Sequence, residues 1–354
     1  MKELKSIILS FENKINIYDF FNPTLLKHFF YVIGHVLLHF VNTSLDKGEF
    51  PDALKTSTII PIPKIANTSK AEEFRPINTL PTFEKLIERA VYEQLVEYFD
   101  KNKLLFTNQS GFRKNHSCES ALQLTVTKFK REIDGGRYVV AVFLDLKRAF
   151  ETIDRNILLT KLRYYGIGGN VIKWFESYLT DRKQKVKYNN VLSDEVSSEF
   201  GVPQGSVLGP LLFLIYLNDI VNYCDCDFVN LFADDTLVAC YDTDLDKCIQ
   251  KMNKALEILE KYFNTNKLKV NVSKTKAIIF TTKYKYNQID FANINLSIYN
   301  ITVEFVNKCK YLGFYLDSLL DFESHLDYHT IHLLVETDGS DKKRTRRRFK
   351  QLFM

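Results

Sequence analysis

The chain has 354 residues, of which 45% are hydrophobic and 26% are charged. This composition is typical of a globular protein and excludes a disordered chain, and the length is sufficient for two or three subdomains. The formal net charge of +5 permits a nucleic-acid partner without establishing one. The most apolar stretches, residues 31–41 and 207–217, are shorter than the roughly 20 residues that span a bilayer, and no secretory signal is visible. We therefore expect an intracellular protein, in the nucleus or cytoplasm, that is neither secreted nor inserted in a membrane.

The six cysteines suggest no disulfide framework, because no C-x-x-C pair occurs among them. Cys224-Asp225-Cys226 resembles one half of a metal site, but no matching Cys/His pair follows at zinc-finger spacing. Reduced thiols are the simpler interpretation for an intracellular protein.

Hydrophobic periodicity in the first 135 residues predicts three helices and one strand. The helices are expected at 20–45, 81–99 and 119–133. Residues 56–64 are rich in β-branched side chains and predict a strand, but Pro61 and Pro63 interrupt it. Because proline cannot donate to a sheet, this strand is expected at an edge or at a bulge.

A compact apolar run, Tyr138–Leu144, predicts a buried strand that ends at Asp145. Two short apolar runs, 228–232 and 237–241, predict a hairpin with Asp234 and Asp235 at its tip. The order of elements predicts an α+β fold with few simple βαβ units and without internal repeats. The other predicted elements are helices at 155–165, 171–179, 210–223 and 245–264, strands at 268–272 and 276–281, and a hairpin at 184–196 that turns at Asn189-Asn190.

Acids at the ends of apolar strands are candidates for binding divalent cations, because the buried strand fixes their position. Nucleotide transfer to a hydroxyl suits two magnesium ions roughly 4 Å apart, held by two or three carboxylates. If the strands before Asp145 and around Asp234-Asp235 are neighbours in one sheet, their three carboxylates converge. A lone aspartate at a strand end is more often a turn residue or helix cap, so the combination carries the prediction.

A second acidic run, Asp242, Asp244 and Asp246, resembles the start of a calcium loop. Lys247 and Asn253 stand where that loop requires glycine and glutamate. These acids are interpreted instead as the cap and first turn of the following helix.

Seven motifs in order resemble the reverse transcriptases of non-long-terminal-repeat (LINE-like) retrotransposons, most closely those of the insect Jockey type. The resemblance extends from about residue 45 to residue 328. The motifs are Phe74-Arg75-Pro76-Ile77, Gln109-Ser110-Gly111-Phe112-Arg113, the segment 143–150 (FLDLKRAF), the segment 201–210 (GVPQGSVLGP), Phe232-Ala233-Asp234-Asp235, Asn271-Val272-Ser273-Lys274-Thr275 and Tyr311-Leu312-Gly313.

The resemblance implies a right-hand polymerase fold whose antiparallel palm sheet carries the catalytic carboxylates. We expect an N-terminal helical extension at 1–45, the first part of the fingers at 46–138, and a palm at 139–315. A fingers insertion is expected near 166–200, and a truncated thumb with a basic tail at 316–354. The implied activity is RNA-directed DNA synthesis from deoxynucleoside triphosphates on an RNA template with a DNA primer. Two Mg²⁺ ions, or Mn²⁺ in their place, would serve as cofactors.

Residue roles follow from the resemblance by position. Asp145, Asp234 and Asp235 resemble the catalytic metal ligands, assisted by the carbonyl of Leu146. Phe150 resembles the steric gate that excludes the 2′-hydroxyl of a ribonucleotide, with a core phenylalanine as the alternative. Residues implied in nucleotide binding are Lys64, Arg75, Arg113, Gln204, Gly205 and Lys274; Arg113 could instead brace the fingers, and Lys274 could instead be a surface lysine.

The sequence departs from the family pattern at three places. Glu151 replaces the aspartate that commonly follows the gate aromatic, only about 45 residues precede the match, and the resemblance stops after Tyr328. We therefore expect a genomic copy shortened at both ends. A catalytically inert remnant that only binds nucleic acid is the alternative function. Phe150 and the Phe-Ala-Asp-Asp tip argue against a viral RNA-dependent RNA polymerase.

The last thirty residues include a dense basic run at 342–348. The charge pattern fits a disordered tail equally well as a nuclear-localisation or phosphate-binding tail.

Overall fold

The computed structural model describes residues 1–13, 21–65, 68 and 70–322. In these residues helices and strands are mixed, and no helix is both long and apolar enough to cross a bilayer. The basic run at 342–348 and most of the expected thumb lie outside the described residues. The helices are α1 (Lys2–Ser10), α2 (Pro23–His28), α3 (Phe30–Lys47), α4 (Thr82–Lys101), α5 (Cys118–Asp134), α6 (Arg155–Tyr164), α7 (Gly169–Leu179), α8 (Gly209–Leu217), α9 (Ile220–Tyr223), α10 (Leu245–Thr265) and α11 (Lys283–Tyr286).

The strands confirm the predicted positions of the apolar run before Asp145 and of the hairpin around Asp234-Asp235. They are β1 (Thr56–Pro63), β2 (Phe74–Thr79), β3 (Tyr138–Leu144), β4 (Lys183–Tyr188), β5 (Val191–Leu192), β6 (Val196–Ser197), β7 (Phe228–Phe232), β8 (Asp235–Asp242), β9 (Lys276–Phe280), β10 (Ser297–Ile298), β11 (Ile301–Thr302), β12 (Glu304–Phe305), β13 (Lys308–Tyr311) and β14 (Phe314–Asp317).

The chain forms two compact units, each assembled from separate segments. The first unit contains Met1–Phe106, Arg148–Asp219 and Thr265–Leu268. The second contains Thr107–Lys147, Ile220–Asn264 and the chain from Lys269 onward. The domain bounds expected from the sequence are consecutive stretches, and they stay a prediction.

The second unit is built on a five-stranded sheet in the order β12-β9-β3-β8-β7. β3 lies at its centre and pairs antiparallel with both β8 and β9. Side chains of β3 face both sides of the sheet, and five of its seven residues are buried, which explains why the run is apolar throughout. On one face, Phe129 of α5 packs against Phe280 and Phe228, with ring centroids 5.1 and 5.8 Å apart. This packing covers the first half of β3, where Val139 pairs with Phe280.

The first unit contains a sheet in the order β2-β1-β4-β5, with β6 added to β4. The expectation that β1 is an edge strand is wrong, because β2 and β4 flank it. The positions of the prolines still agree with the fact that proline has no backbone N–H to donate to a neighbouring strand. β4 pairs with β1 only from Thr56 to Ile59, so Pro61 and Pro63 lie where that side of β1 has no partner strand.

Two predicted helices are each divided in two. The apolar periodicity at 20–45 continues across Phe29, where α2 ends and α3 begins. The predicted helix at 210–223 breaks after Leu217 because Asn218 makes tertiary hydrogen bonds. Its side chain accepts from the backbone N–H of Phe106 and donates to the carbonyl of Leu104, both at 2.8 Å. Periodicity does not record such contacts.

The strand predicted at 268–272 is also absent among the described elements. Among the described residues, the segment 268–272 makes a single β-bridge, between Val270 and Leu146. The chain then turns at Asn271, whose carbonyl accepts hydrogen bonds from the N–H groups of Lys274 and Thr275, both at 3.0 Å. A local turn therefore replaces the ladder that the apolar residues predicted.

Candidate active site

Sheet register places Asp145 beside the acidic hairpin tip, within the second unit. The last pairs of the two ladders are Leu144 with Thr236 and Phe232 with Asp235. One residue beyond Leu144, Asp145 is therefore aligned with Asp235, and the two-residue turn Ala233-Asp234 carries the third acid. The sequence left open whether these strands are neighbours, and the structure brings the three carboxylates to one end of one sheet.

The acids interact electrostatically. Burial raises the pKa of Asp234, and the charge of Asp145 raises it further. The pKa of Asp235 is raised to about 6 by desolvation, then by the charges of Asp234 and Asp145. The Asp235 side chain is exposed by surface area, so solvent reduces the energetic effect of this shift, but its direction follows from two adjacent carboxylates.

This donor set fits divalent cations that prefer oxygen ligands. Repulsion among unscreened carboxylates is relieved when a cation binds between them. Within residues 1–13, 21–65, 68 and 70–322, no group of three or more His, Cys, Asp or Glu side chains is placed so that it could hold a metal ion by itself. In magnesium sites protein carboxylates share the ions with water and substrate phosphates, so the protein side chains need not supply all the ligands.

Asp145 is held by residues 269–275, which directly precede β9, a neighbour of β3 in the sheet. Asn271 donates through Nδ2 to Asp145 Oδ2 at 2.9 Å, and its backbone N–H donates to the Asp145 carbonyl at 2.7 Å. The Asp145 N–H lies 3.5 Å from Thr275 Oγ1, and the Lys147 N–H donates to the Lys269 carbonyl at 2.7 Å. The hydrogen bond from Asn271 therefore fixes the side-chain rotamer of Asp145 and occupies one of its two carboxylate oxygens.

The remaining predicted site residues of this unit differ in their surroundings. Leu146 is buried beside Val270, with 7% of its surface exposed. Lys274 is exposed in the turn that Asn271 begins. Arg113 donates through Nη1 to the carbonyl of Gln109 at 3.0 Å, which is a bracing contact.

The other predicted nucleotide-binding residues belong to the first unit. Lys64 directly follows β1 and is exposed, and its N–H donates to the Glu73 carbonyl at 2.8 Å. Arg75 is exposed on β2. The Phe150 ring stacks on Phe213 of α8, with centroids 4.7 Å apart and an interplanar angle of 28°.

Gln204 and Gly205 are fastened to β2 through one residue, Asn78. The Asn78 N–H donates to the Gln204 carbonyl at 2.7 Å. Gly205 has a φ of +116°, and a Cβ added there would lie 2.5 Å from the Asn78 carbonyl oxygen. Glycine is required at this position both by its backbone conformation and by the close approach.

Glu88 and Arg155, which belong to no quoted motif, support the same loop through hydrogen bonds to its backbone. Glu88 of α4 accepts from the Val207 N–H at 2.7 Å and from the Tyr178 hydroxyl. Burial raises the pKa of Glu88. Arg155 donates to the carbonyls of Leu179 and Gly201 at 2.8 and 3.0 Å, and burial lowers its pKa to about 10. Two side chains thus fix the segment that carries Gln204.

The contact between Asn271 and Asp145 is not predictable from the sequence, although Asn271 lies inside the motif 271–275. The available signal was an amide side chain at the start of that motif. The apolar residues around Asn271 predict a strand, and its contact with Asp145 depends on a fold that brings residues 126 positions apart together.

The chain is similar to known proteins over most of its length. A family model described as reverse transcriptase (RNA-dependent DNA polymerase) matches residues 62–316. The chain is 30% identical over 295 residues to a probable RNA-directed DNA polymerase from transposon BS of Drosophila melanogaster, covering 78% of this chain and 31% of that protein. It is 26% identical over 293 residues to the RNA-directed DNA polymerase from mobile element jockey of the same species, covering 80% of this chain and 31% of that protein.

Among solved structures, telomerase from Candida tropicalis in complex with a fragment of telomeric RNA matches with a TM-score of 0.50 and 15% identity. The match covers 86% of this chain and 49% of that chain, and it shows a shared fold, the right-hand polymerase fold. The chain spans about a third of the length of the transposon relatives. By the extent of the family match and by its identity to the transposon enzymes, the chain belongs to the reverse transcriptase family, among the non-long-terminal-repeat retrotransposon members.

Proposed function

We propose that this chain is an RNA-directed DNA polymerase that extends a DNA primer on an RNA template by nucleotidyl transfer from deoxynucleoside triphosphates. The observation that carries the proposal is the alignment of Asp145 on β3 with the Asp234-Asp235 tip of the neighbouring hairpin. Family membership supports the same activity.

Asp145, Asp234 and Asp235, with the carbonyl of Leu146, would hold two magnesium ions, for which Mn²⁺ can substitute. When bound, such ions lower the pKa of the attacking hydroxyl and neutralise charge on the leaving pyrophosphate. The protein's own contribution is to fix the carboxylates before substrate arrives. Asn271 does this for Asp145 by directing one carboxylate oxygen toward itself and leaving the other available.

The nucleotide-binding roles are part of the proposal. Lys64, Arg75 and Arg113 offset charge on the triphosphate, and Lys274 protonates the departing pyrophosphate. Phe150 contacts the sugar and excludes a 2′-hydroxyl, while Gln204 and Gly205 present backbone to the nucleotide and template. The stack of Phe150 on Phe213 supports a gate role, because a gate must resist displacement by the sugar.

We also infer the division into parts that the motif order implies. Residues 1–45 form an N-terminal helical extension, 46–138 the first part of the fingers, and 139–315 the palm, with a fingers insertion near 166–200. We assign the start of the thumb to residue 316; residues 323–354, which include the basic run, lie outside the described part of the chain. We place the activity inside the cell, in the nucleus or cytoplasm.

The test is primer extension by the purified chain on poly(rA)/oligo(dT) with dTTP and Mg²⁺. Asp234→Ala is expected to lower the rate by at least 10³-fold, because a metal ligand is lost. Asp246→Ala, at an exposed acid in the first turn of α10, is the matched control and is expected to keep full activity. Equal extension by the wild type and Asp234→Ala would refute the assignment of Asp234.

The alternative function, binding of nucleic acid without catalysis, predicts a different result in the same assay. The wild-type protein would be folded by circular dichroism and would retard the template–primer in a gel, yet would extend no primer at any Mg²⁺ or Mn²⁺ concentration.

A further inference from the structure

The tip of the acidic hairpin adopts a backbone conformation that needs support. Ala233, immediately before Asp234, has a φ of +54°, in the left-handed region that disfavours residues with a Cβ. It is also buried, with 5% of its surface exposed. The turn has only two residues between the paired Phe232 and Asp235, so its conformation determines where the Asp234 carboxylate points. A group outside the hairpin must stabilise this turn.

That group is the side chain of Gln109. Its Oε1 accepts a hydrogen bond from the Ala233 N–H at 3.0 Å and a second from the Gly111 N–H at 2.9 Å. Its Nε2 lies 3.5 Å from the Ala233 carbonyl, at the limit of a hydrogen bond. Only 2% of Gln109 is exposed, so water does not compete for these donors. The buried amide of Gln109 thus provides a hydrogen-bond acceptor for the backbone N–H of Ala233, the residue before Asp234.

Gly111 allows this approach. A Cβ added at Gly111 would lie 2.1 Å from the Ala233 nitrogen and 2.7 Å from its Cα. Both neighbours are backbone atoms, which cannot move aside without moving the turn. The backbone at Gly111 therefore lies in direct contact with the backbone of Ala233. Glycine is required at position 111 because a Cβ would overlap Ala233, and not because of the φ of Gly111.

The segment 108–110 that carries Gln109 is itself anchored on β7. The Ser110 N–H donates to the Leu231 carbonyl at 2.9 Å, and the Leu231 N–H donates to the Asn108 carbonyl at 3.0 Å. The Asn108 side chain also donates to the Val229 carbonyl at 3.1 Å. Gln109 is thus held by bonds to the same hairpin that it supports, and its amide has little freedom to move.

We propose that Gln109 is a positioning residue for the metal site: its amide holds Ala233 in the left-handed conformation and so orients the carboxylate of Asp234. The proposal rests on the function proposed above, because it assumes that Asp234 binds a catalytic cation. Gln109 does not touch substrate. Removing the Gln109 amide leaves Asp234 in the chain but allows the backbone of the turn to relax. The Asp234 carboxylate is then no longer held in one orientation.

The experiment compares Gln109→Met, which keeps the size of the side chain and removes both polar atoms, with Asn108→Ala. The control variant removes a hydrogen bond from the same segment to β7 without touching the tip. Mn²⁺ binding to the protein is measured by electron paramagnetic resonance of the free ion, with Asp234→Ala defining the site. kcat and KM for dTTP are measured by primer extension, and Tm by calorimetry.

Gln109→Met is expected to weaken Mn²⁺ binding at that site about fivefold and to lower kcat 10- to 100-fold, with KM for dTTP changed less than twofold. Asn108→Ala is expected to lower Tm by a similar amount and to leave Mn²⁺ binding and kcat unchanged. Gln109→Glu keeps the two-bond acceptor and is expected to restore most of the Mn²⁺ affinity. If Gln109→Met does not fold, Gln109→Asn, whose amide is too short to reach Ala233, takes its place with the same expected results.

The proposal is overturned if Gln109→Met or its substitute lowers Tm but binds Mn²⁺ and turns over like Asn108→Ala. Failure of the proposed function looks different. If the wild type extends no primer but still binds Mn²⁺ at a site that Asp234→Ala lacks, polymerase activity is refuted. The comparison of Mn²⁺ binding between variants then still decides the role of Gln109. If the wild type and Asp234→Ala bind Mn²⁺ alike, both the proposed metal site and the role of Gln109 are refuted.

Discussion

Asn271 contacts Asp145 twice, through its side-chain amide at 2.9 Å and through its backbone N–H at 2.7 Å. The two residues are 126 positions apart in the chain, and they lie at the end of β3 and in the turn before β9. One contact directs the carboxylate, and the other fixes the backbone that carries it. Asn271 therefore links the first proposed catalytic acid to the loop 271–275.

Replacing Asn271 with alanine is expected to lower kcat about 10-fold and the free energy of unfolding by about 1 kcal/mol, because one hydrogen bond to a charged group is lost. The backbone contact remains, so the effect stays well below that of losing Asp145. Steady-state primer extension and urea unfolding measure the two quantities. Ser273→Ala is the control, since Ser273 donates to Asn271 Oδ1 at 2.9 Å and does not contact Asp145. Equal kcat in the wild type and Asn271→Ala would contradict the role.

Asp235→Asn is expected to stabilise the metal-free protein at pH 7.5 by about 1 kcal/mol, after allowance for solvent screening of an exposed side chain. The pKa of Asp235 is raised to about 6 in the folded protein, from an ordinary value of 3.8. The folded state then binds the proton more tightly than the unfolded state does. The resulting stability is complete below about pH 4 and is lost as the pH rises through about 6.

Urea unfolding without metal at pH 5 and pH 7.5 tests this sign. The advantage of Asp235→Asn should shrink at pH 5, and Mg²⁺ should stabilise the wild type more than the variant. Asp246→Asn serves as the control at an exposed acid of the same unit. A variant less stable than the wild type at pH 7.5 without metal would show that the carboxylates do not repel one another.

Phe150→Val is expected to raise ribonucleotide use relative to deoxynucleotide use about 10- to 100-fold, because the smaller side chain leaves room for a 2′-hydroxyl. The ratio of kcat/KM for UTP and dTTP on poly(rA)/oligo(dT) measures this discrimination. Phe213→Leu is the matched control, because it removes the ring against which Phe150 stacks but keeps the gate residue. If Phe150→Val lowers stability and leaves the ratio unchanged, Phe150 is a core residue.

Gly205→Ala is expected to lower the free energy of unfolding by about 2 kcal/mol and to raise KM for dTTP several-fold. The φ of +116° strains any residue with a Cβ, and the new atom meets the Asn78 carbonyl at 2.5 Å. Gly168→Ala is the control, since no atom lies within 4 Å of a Cβ there and the position only precedes α7. Similar losses in both variants would refute a specific constraint at Gly205.

The sequence predicted most elements because their signals are local. The bounds of β3 and of the helices α4, α5 and α7 follow from runs of apolar residues and their ends. Two predicted helices are divided in the structure, at Phe29 and at Asn218, although the apolar periodicity continues across the first break. In the second case the cause is a pair of hydrogen bonds to residues more than 100 positions away, which no local pattern contains.

By itself the sequence determined the family, the acids and their placement at strand ends, because each depends on short motifs and on alternation of apolar residues. Only the tertiary structure decided which strands are neighbours, and so that Asp145 is aligned with the Asp234-Asp235 tip. It also decided which amides support those acids. Gln109 and Asn271 act through hydrogen bonds to backbone and carboxylate groups distant in the chain, and such bonds exist only after folding.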